Sequence, residues 1–293
     1  MQITASMVNE LRQKTGVGMM QCKKVLMEAE GDQEKAFELL RKQGAAVAAK
    51  RADKAAKEGR VFLVNTDDRA VAFELGCETE PVSQNEDFVA LANLAIKACS
   101  TQNINSIDEL KNAVVDGEKV GDKLQDVLVK IQENIDFRKF AIIKHSDKDV
   151  MGVYSHMNGK IGVITKLAFE GTPKDLSIID RAAKEIAMQA AAFPPIALNN
   201  ASVPASFIEK EKEIALAQIE NSGKKTKPEF AQRQIEGRVA KVLKEVVLED
   251  QEFFIAEKNP NKLSVKDYLL SVGNEQGVKN LAVVEFVRFE RGN

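Results

Sequence analysis

The chain has 293 residues, 44% of them hydrophobic, and a formal net charge of −2: enough length and apolar content for two or three packed modules, and no global case for a nucleic-acid footprint. No apolar run approaches the roughly 18–20 residues of a membrane span. Cys22, Cys77 and Cys99 stand far apart without a CxxC pair, and Glu10 and Arg12 occupy the place of a signal peptide's apolar region, so the expectation is a soluble, cytoplasmic protein with reduced thiols.

Residues 1–44 read as three short helices. Thr4 or Ser6 can cap the first, whose apolar positions include Met7, Val8 and Leu11. Thr15-Gly16 marks its end, because glycine takes the left-handed conformation that closes helices. The second helix carries Cys22, Val25, Leu26 and Ala29 at i, i+3, i+4 and i+7 spacing, a buried stripe. Met19 and Met20 precede that stripe, and Lys23 and Lys24 lie within it. Two adjacent methionines cannot both face one helix core; either one points outward or both are partly buried. Gly31 ends this helix, and Asp32 can cap a third bearing Ala36, Phe37 and Leu40, with Gly44 as its stop. Three helices in 44 residues give a marginal core that must lean on a partner or on the rest of the chain.

Residues 45–58 are rich in helix formers but poor in large apolar groups, the mark of a connector. Lys50, Arg51, Lys54 and Lys57 are basic, but Asp53 and Glu58 interrupt the run, which reads as a solvated helical linker.

An imperfect repeat follows. Val61-Phe62-Leu63-Val64, a turn at Asp67-Asp68, and the alternating Val71, Phe73 and Leu75 form a β-hairpin. A helix from about residue 86 to 98 carries Phe88, Leu91, Leu94 and Ala95. Helical segments fill 106–135. Residues 151–168 repeat the logic, with Gly152-Val153-Tyr154, the hairpin signal Asn158-Gly159, and Ile161, Val163 and Leu167 in alternation. A helix over about 175–192 follows, closed by Pro194-Pro195. Residues 138–144 and 281–289 also alternate like strands, and either can complete the second sheet. Residues 204–248 form an inserted helical hairpin: Pro204 starts one helix, 222–228 is a turn, and Phe230, Ile235, Val239, Val242 and Val246 line the other. Its two heptads are too few to establish a coiled coil from sequence alone. The fold class is α+β, with modules at 1–44, a linker at 45–58, a first core subdomain at 59–140, a second at 141–200 and 249–293, and the hairpin at 201–248.

Catalytic constellations are missing from the sequence. It has two histidines, His145 and His156, no HExxH, no zinc-type cysteine pairs and no nucleophile elbow. Gly16-Val17-Gly18 lacks the phosphate-loop pattern, so no direct nucleotide binding, no cofactor and no metal are expected. Aromatic residues are 5%, without tryptophan, and do not interleave with basic ones as stacking platforms for single-stranded RNA require. The residues alone support a multi-module interaction protein, not an enzyme.

The run Leu11-Arg12, then Thr15-Gly16-Val17-Gly18-Met19-Met20-Gln21-Cys22-Lys23-Lys24, closely resembles the N-terminal signature of the bacterial elongation factor Ts family. The likeness continues at Glu28-Ala29-Glu30-Gly31-Asp32, Ala36, Arg41-Lys42-Gln43-Gly44, Cys77-Glu78-Thr79, Glu133-Asn134-Ile135, Gly162-Val163-Ile164, Ile235-Glu236-Gly237-Arg238 and Val287-Arg288-Phe289-Glu290. It spans almost the whole chain. That family promotes guanine-nucleotide exchange on elongation factor Tu. The resemblance implies a ubiquitin-associated-like N-terminal module and a protruding coiled-coil arm at the helical hairpin. It implies that elongation factor Tu is the partner, GDP-bound or nucleotide-free, with no membrane and no DNA. Carried over by position, Arg12, Met19, Met20 and Lys23 meet the partner's nucleotide-binding domain. Thr79, Glu80, Pro81 and Val82 occupy the segment that dislocates the partner's Mg²⁺, and His156 touches a more distant domain. The family's usual Asp-Phe-Val is here Glu80-Pro81-Val82. Proline is smaller than phenylalanine, fixes its own φ near −65° and biases Glu80 toward an extended backbone, so the wedge is expected to reach less far. Phe88 is too far along to replace it. Many family members carry a further helix after the last strand; here the sequence stops at Arg291-Gly292-Asn293, and contacts from that helix are not expected. Whether the hairpin mediates a homodimer is left open. The alternative function is an RNA-binding translation accessory protein without exchange activity, which retention on heparin or RNA at physiological salt discriminates.

Overall fold

In the computed structural model, which describes residues 3–51, 54–146, 148–221 and 228–293, Thr4 caps helix α1 (Ala5–Thr15), its hydroxyl accepting from the Met7 N–H at 3.2 Å. Gly16, at φ 68°, closes the helix by donating its N–H to Arg12 O at 2.7 Å. Helix α2 (Met19–Glu28) buries Cys22, Val25 and Leu26. Asp32 then caps α3 (Gln33–Arg51), accepting the N–H groups of Glu34 and Lys35. The structure corrects the expected stop at Gly44, since α3 runs through it. A Cβ on Gly44 would lie 2.7 Å from Gln125 O, so the glycine is there to let α3 lie flush against α7 (Val120–Ile131). Val129 of α7 completes the core of the three helices, and Arg41 pairs with Asp122 at 2.9 Å. The small module therefore borrows part of its core from the rest of the chain.

Strands β1 (Glu58–Asn65), β2 (Arg69–Cys77) and β5 (Asp136–Lys144) form one antiparallel sheet in the order β1-β2-β5. Residues 138–144 thus complete the first sheet rather than the second. Val71, Phe73 and Leu75 face α5 (Glu86–Thr101) and α7, packing with Phe88, Leu91 and Leu128. Phe88 is fully buried and so is no substitute for an exposed wedge. Between β2 and α5 lies one turn of helix, α4 (Glu80–Ser83). A short helix α6 (Ile107–Asn112) and a two-strand hairpin, β3 (Val114–Val115) with β4 (Glu118–Lys119), precede α7.

The second sheet has the order β6-β7-β8, from β6 (Asp149–His156), β7 (Ile161–Glu170) and β8 (Lys279–Glu290). Helices α8 (Leu176–Ala192) and α11 (Val265–Gln276) cover it over Val163, Leu167, Ile186 and Leu269. The two sheets meet through small side chains: Ala70 and Ala72 of β2 pack with Ile143 and Ile164. Gly162 is part of this fit, since a Cβ there would sit 2.4 Å from Val61. The alternation along β2 therefore places alanine toward the other sheet and large side chains toward the helices.

Helices α9 (Ala205–Asn221) and α10 (Pro228–Val246) form the inserted hairpin. Val203, Phe207 and Ile208 at the start of one pack on Leu243 and Val246 at the end of the other, which makes the pair antiparallel. Residues 222–227 of the expected turn at 222–228 and residues 52–53 of the expected linker lie outside the described residues, and Pro228 opens α10. The architecture is α+β.

Candidate partner-binding surface

The α1–α2 joint is built from the inside. Thr15 is buried and donates its hydroxyl to Leu11 O at 2.7 Å; Val17 is buried, and Cys22 Sγ donates to Val17 O at 3.4 Å. Those contacts fix the rotation of α2. With Cys22, Val25 and Leu26 turned inward, helical periodicity turns positions 20, 23 and 27 outward, whereas Met19, three residues before Cys22, is exposed at the first position of α2. Met19 is 54% exposed and Met20 78%, so the question of a core role is settled for both. Met27, two turns beyond Met20, is also exposed. Arg12 and Lys23 are exposed, and among the described residues neither makes an ion pair. The result is a solvent-facing apolar and basic stripe on a rigid joint.

Residues 78–82 leave the end of β2 as a braced corner. Glu133 accepts the N–H groups of Glu78 and Thr79 at 3.1 and 3.0 Å and the Thr79 hydroxyl at 2.7 Å. Glu78 in turn is held by Arg51 at 2.8 Å and by the Asn134 N–H at 2.7 Å. Burial opposes ionisation of Glu78, but the Arg51 guanidinium and the Asn134 N–H outweigh it and hold its carboxyl below the usual carboxylate range. Thr79 is extended, at φ −127° and ψ 148°. Glu80, expected to be extended, instead opens α4. Pro81 sits in the first turn of α4, where its missing N–H removes no helical bond, and the Glu133 brace fixes the entry angle. Glu80 and Pro81 are exposed, Val82 half-buried and Ser83 buried, its hydroxyl donating to Glu80 O at 2.7 Å. Glu80 also lies 3.8 Å from Arg291.

His156 ends β6, half-buried, with Nδ1 2.9 Å from the Tyr154 hydroxyl. The structure thus gathers Arg12, Met19, Met20 and Lys23 in one module, puts residues 79–82 on the first subdomain, and places His156 on the second sheet. Sequence reasoning missed Glu133, Arg51 and Arg291. The stretches Cys77-Glu78-Thr79 and Glu133-Asn134-Ile135 carry the family resemblance separately, and nothing in their spacing shows that they join.

Among the described residues no three His, Cys, Asp or Glu side chains cluster to hold a metal ion, and no helix is long and apolar enough to cross a membrane. All three cysteines are free and buried, and burial pushes the Cys77 and Cys99 thiols up to about 12. A thiol reagent at neutral pH should label none of the three rapidly in the folded protein and all three in denaturant. A fast-reacting thiol without denaturant would show that one of these sites opens.

Comparison with known proteins identifies the family. The family described as Elongation factor TS matches residues 78–293. The chain is 41% identical to Elongation factor Ts of Clostridium novyi (strain NT), covering 99% of this chain and 93% of that protein. It is 39% identical to Elongation factor Ts of Clostridium acetobutylicum, covering 99% and 92%, and 39% identical to that of Nautilia profundicola, covering 99% and 93%. A family match over more than half the chain, together with near full-length relatives, means that this chain belongs to the elongation factor Ts family.

Proposed function

We propose that the chain is a guanine-nucleotide exchange factor that binds elongation factor Tu and promotes release of its GDP, so that GTP can rebind during translation elongation. The observation that carries this reading is the Met19–Met20 pair, exposed on a joint whose interior is fixed by Thr15, Val17 and Cys22. Methionine is soft and polarisable, and exposed methionines recur on protein-binding surfaces. In this reading Arg12, Met19, Met20 and Lys23 dock on the partner's nucleotide-binding domain. Thr79, Glu80, Pro81 and Val82 work near its Mg²⁺ and phosphate site, and His156 touches a more distant domain. The chain itself breaks no covalent bond.

The physics is linkage. A protein that binds the nucleotide-free partner more tightly than the GDP form weakens GDP binding in the complex by the same factor. Rapid exchange also needs a lower barrier to release, and the braced corner at 78–82 supplies a rigid element for that. Catalytic amounts of the protein should accelerate fluorescent-GDP release from a cognate elongation factor Tu, with no cofactor added. Unchanged release at saturating protein sinks the proposal; retention on RNA at physiological salt would then favour the accessory-protein reading.

A further inference from the structure

The hairpin that carries His156 turns through three consecutive left-handed residues, Met157, Asn158 and Gly159, at φ 48°, 55° and 84°. Asparagine and glycine adopt that region readily, whereas an unbranched apolar side chain does so against a steric cost. Met157 gains little burial in return, since it is 60% exposed. The turn is nonetheless pinned. Arg60, on the other sheet, donates from Nε to Asn158 O at 3.0 Å and from Nη2 to Asn158 Oδ1 at 2.7 Å. The Val61 N–H donates to Gly159 O at 2.8 Å, and the Lys160 N–H closes the turn onto Met157 O at 3.3 Å. A Cβ at position 159 would come within 2.9 Å of Val61 O, so the close approach of the two strands depends on glycine. Neither the core nor the sheet register requires an apolar side chain at 157. An exposed methionine on strained backbone, in a turn held by four hydrogen bonds, is pre-organised, so little ordering remains to be done on binding.

We infer that Met157 is a second docking anchor for elongation factor Tu, inserting beside His156 into an apolar depression on the partner, and that Arg60 is the residue that positions it. The inference rests on the reading of His156 as a partner contact. It extends that contact from one imidazole to a rigid turn whose apolar tip leads.

The test uses the full-length chain and nucleotide-free elongation factor Tu. Met157→Asn keeps a side chain that tolerates the left-handed backbone and removes the apolar group. It should weaken binding fivefold or more while the thermal midpoint holds or rises. Arg60→Ala should also weaken binding, and in the double variant the loss should be no greater than in Met157→Asn alone, because both changes act on one contact. Additive losses would overturn the positioning role of Arg60. Wild-type affinity in Met157→Asn, with affinity lost in His156→Ala, would overturn the anchor and leave the His156 contact standing. Wild-type affinity in both variants, with GDP release still accelerated, would remove this whole hairpin from the interface. Failure of the unaltered protein to accelerate release would instead overturn the exchange reading on which the anchor depends.

Discussion

Met20→Ala should weaken binding to elongation factor Tu by about 1–3 kcal/mol, roughly tenfold or more, and leave the thermal midpoint of the free protein unchanged. The two halves of this expectation have separate causes. Met20 is 78% exposed and buries little against its own module, so truncation opens no cavity in the free protein. Alanine is also at least as good a helix former as methionine at a position inside α2. At an interface the same side chain is removed from water, and loss of a buried anchor is felt in full. The kinetic signature is specific as well. Met20 lies on a different element from the corner at 78–82, so its contact should serve the GDP-bound and nucleotide-free complexes alike. An interaction made equally in both states sets how much protein is needed, not how fast the saturated complex releases GDP. The half-saturating concentration should rise about tenfold while the maximal release rate stays within about twofold. A fall in the maximal rate instead would mean that the Met19–Met20 stripe takes part in the distortion itself. Cys22→Ala is the control for a core role, since Cys22 is fully buried and its loss should lower the midpoint.

The local elements were legible in the sequence because their signals are local. The stripe of Cys22, Val25, Leu26 and Ala29 is buried as spaced, Asp32 caps as its chemistry demands, and Val71, Phe73 and Leu75 face one side of their sheet. What stayed hidden depends on residues far apart in the chain. Alternation over 138–144 announces a strand but not its neighbour, and packing against β2 decided that. A glycine late in a helical pattern reads as a stop, yet Gly44 serves the approach of α7, which no local pattern reveals. Glu80 is helical despite the bias that proline imposes on it, in a turn that follows a backbone held by Glu133, 54 residues beyond Thr79. The candidate surface was legible as residues, through the family resemblance, but not as mechanics. That Met20 points outward follows from the rotation that the buried side chains impose on α2, and Met19 is exposed because it stands at the open start of that helix. That the corner at 78–82 is rigid follows from a carboxylate whose role appears only in three dimensions.

Pro81→Phe should accelerate GDP release on the order of tenfold when the partner is an elongation factor Tu adapted to the family's usual Asp-Phe-Val segment. Pro81 is exposed in the first turn of α4, so a larger ring there stands in solvent in the free protein. The brace is untouched, because Glu133 grips the backbone of residues 78 and 79 and the Thr79 hydroxyl, not the side chain at 81. The N–H that phenylalanine restores falls in the first turn, where it needs no intrahelical acceptor. Folding stability should therefore shift by no more than about 0.5 kcal/mol, as for an ordinary surface substitution. What changes is reach and apolar area. If the added ring is buried between partner side chains only as the Mg²⁺ site is disturbed, its transfer energy, roughly 1–2 kcal/mol beyond that of proline, lowers the barrier to release rather than the ground state. A partner whose pocket has co-adapted to Pro81 should show no gain, or a loss from steric overlap. Pro81→Ala completes the comparison: with a co-adapted partner it should slow release, because it removes the stiff apolar ring that such a pocket fits. If Pro81→Phe and Pro81→Ala both leave release unchanged with either partner, the corner at 78–82 is not the working wedge. The distortion would then have to come from the Met19–Met20 module or from the hairpin at His156, and the maximal release rate of Met20→Ala would tell which.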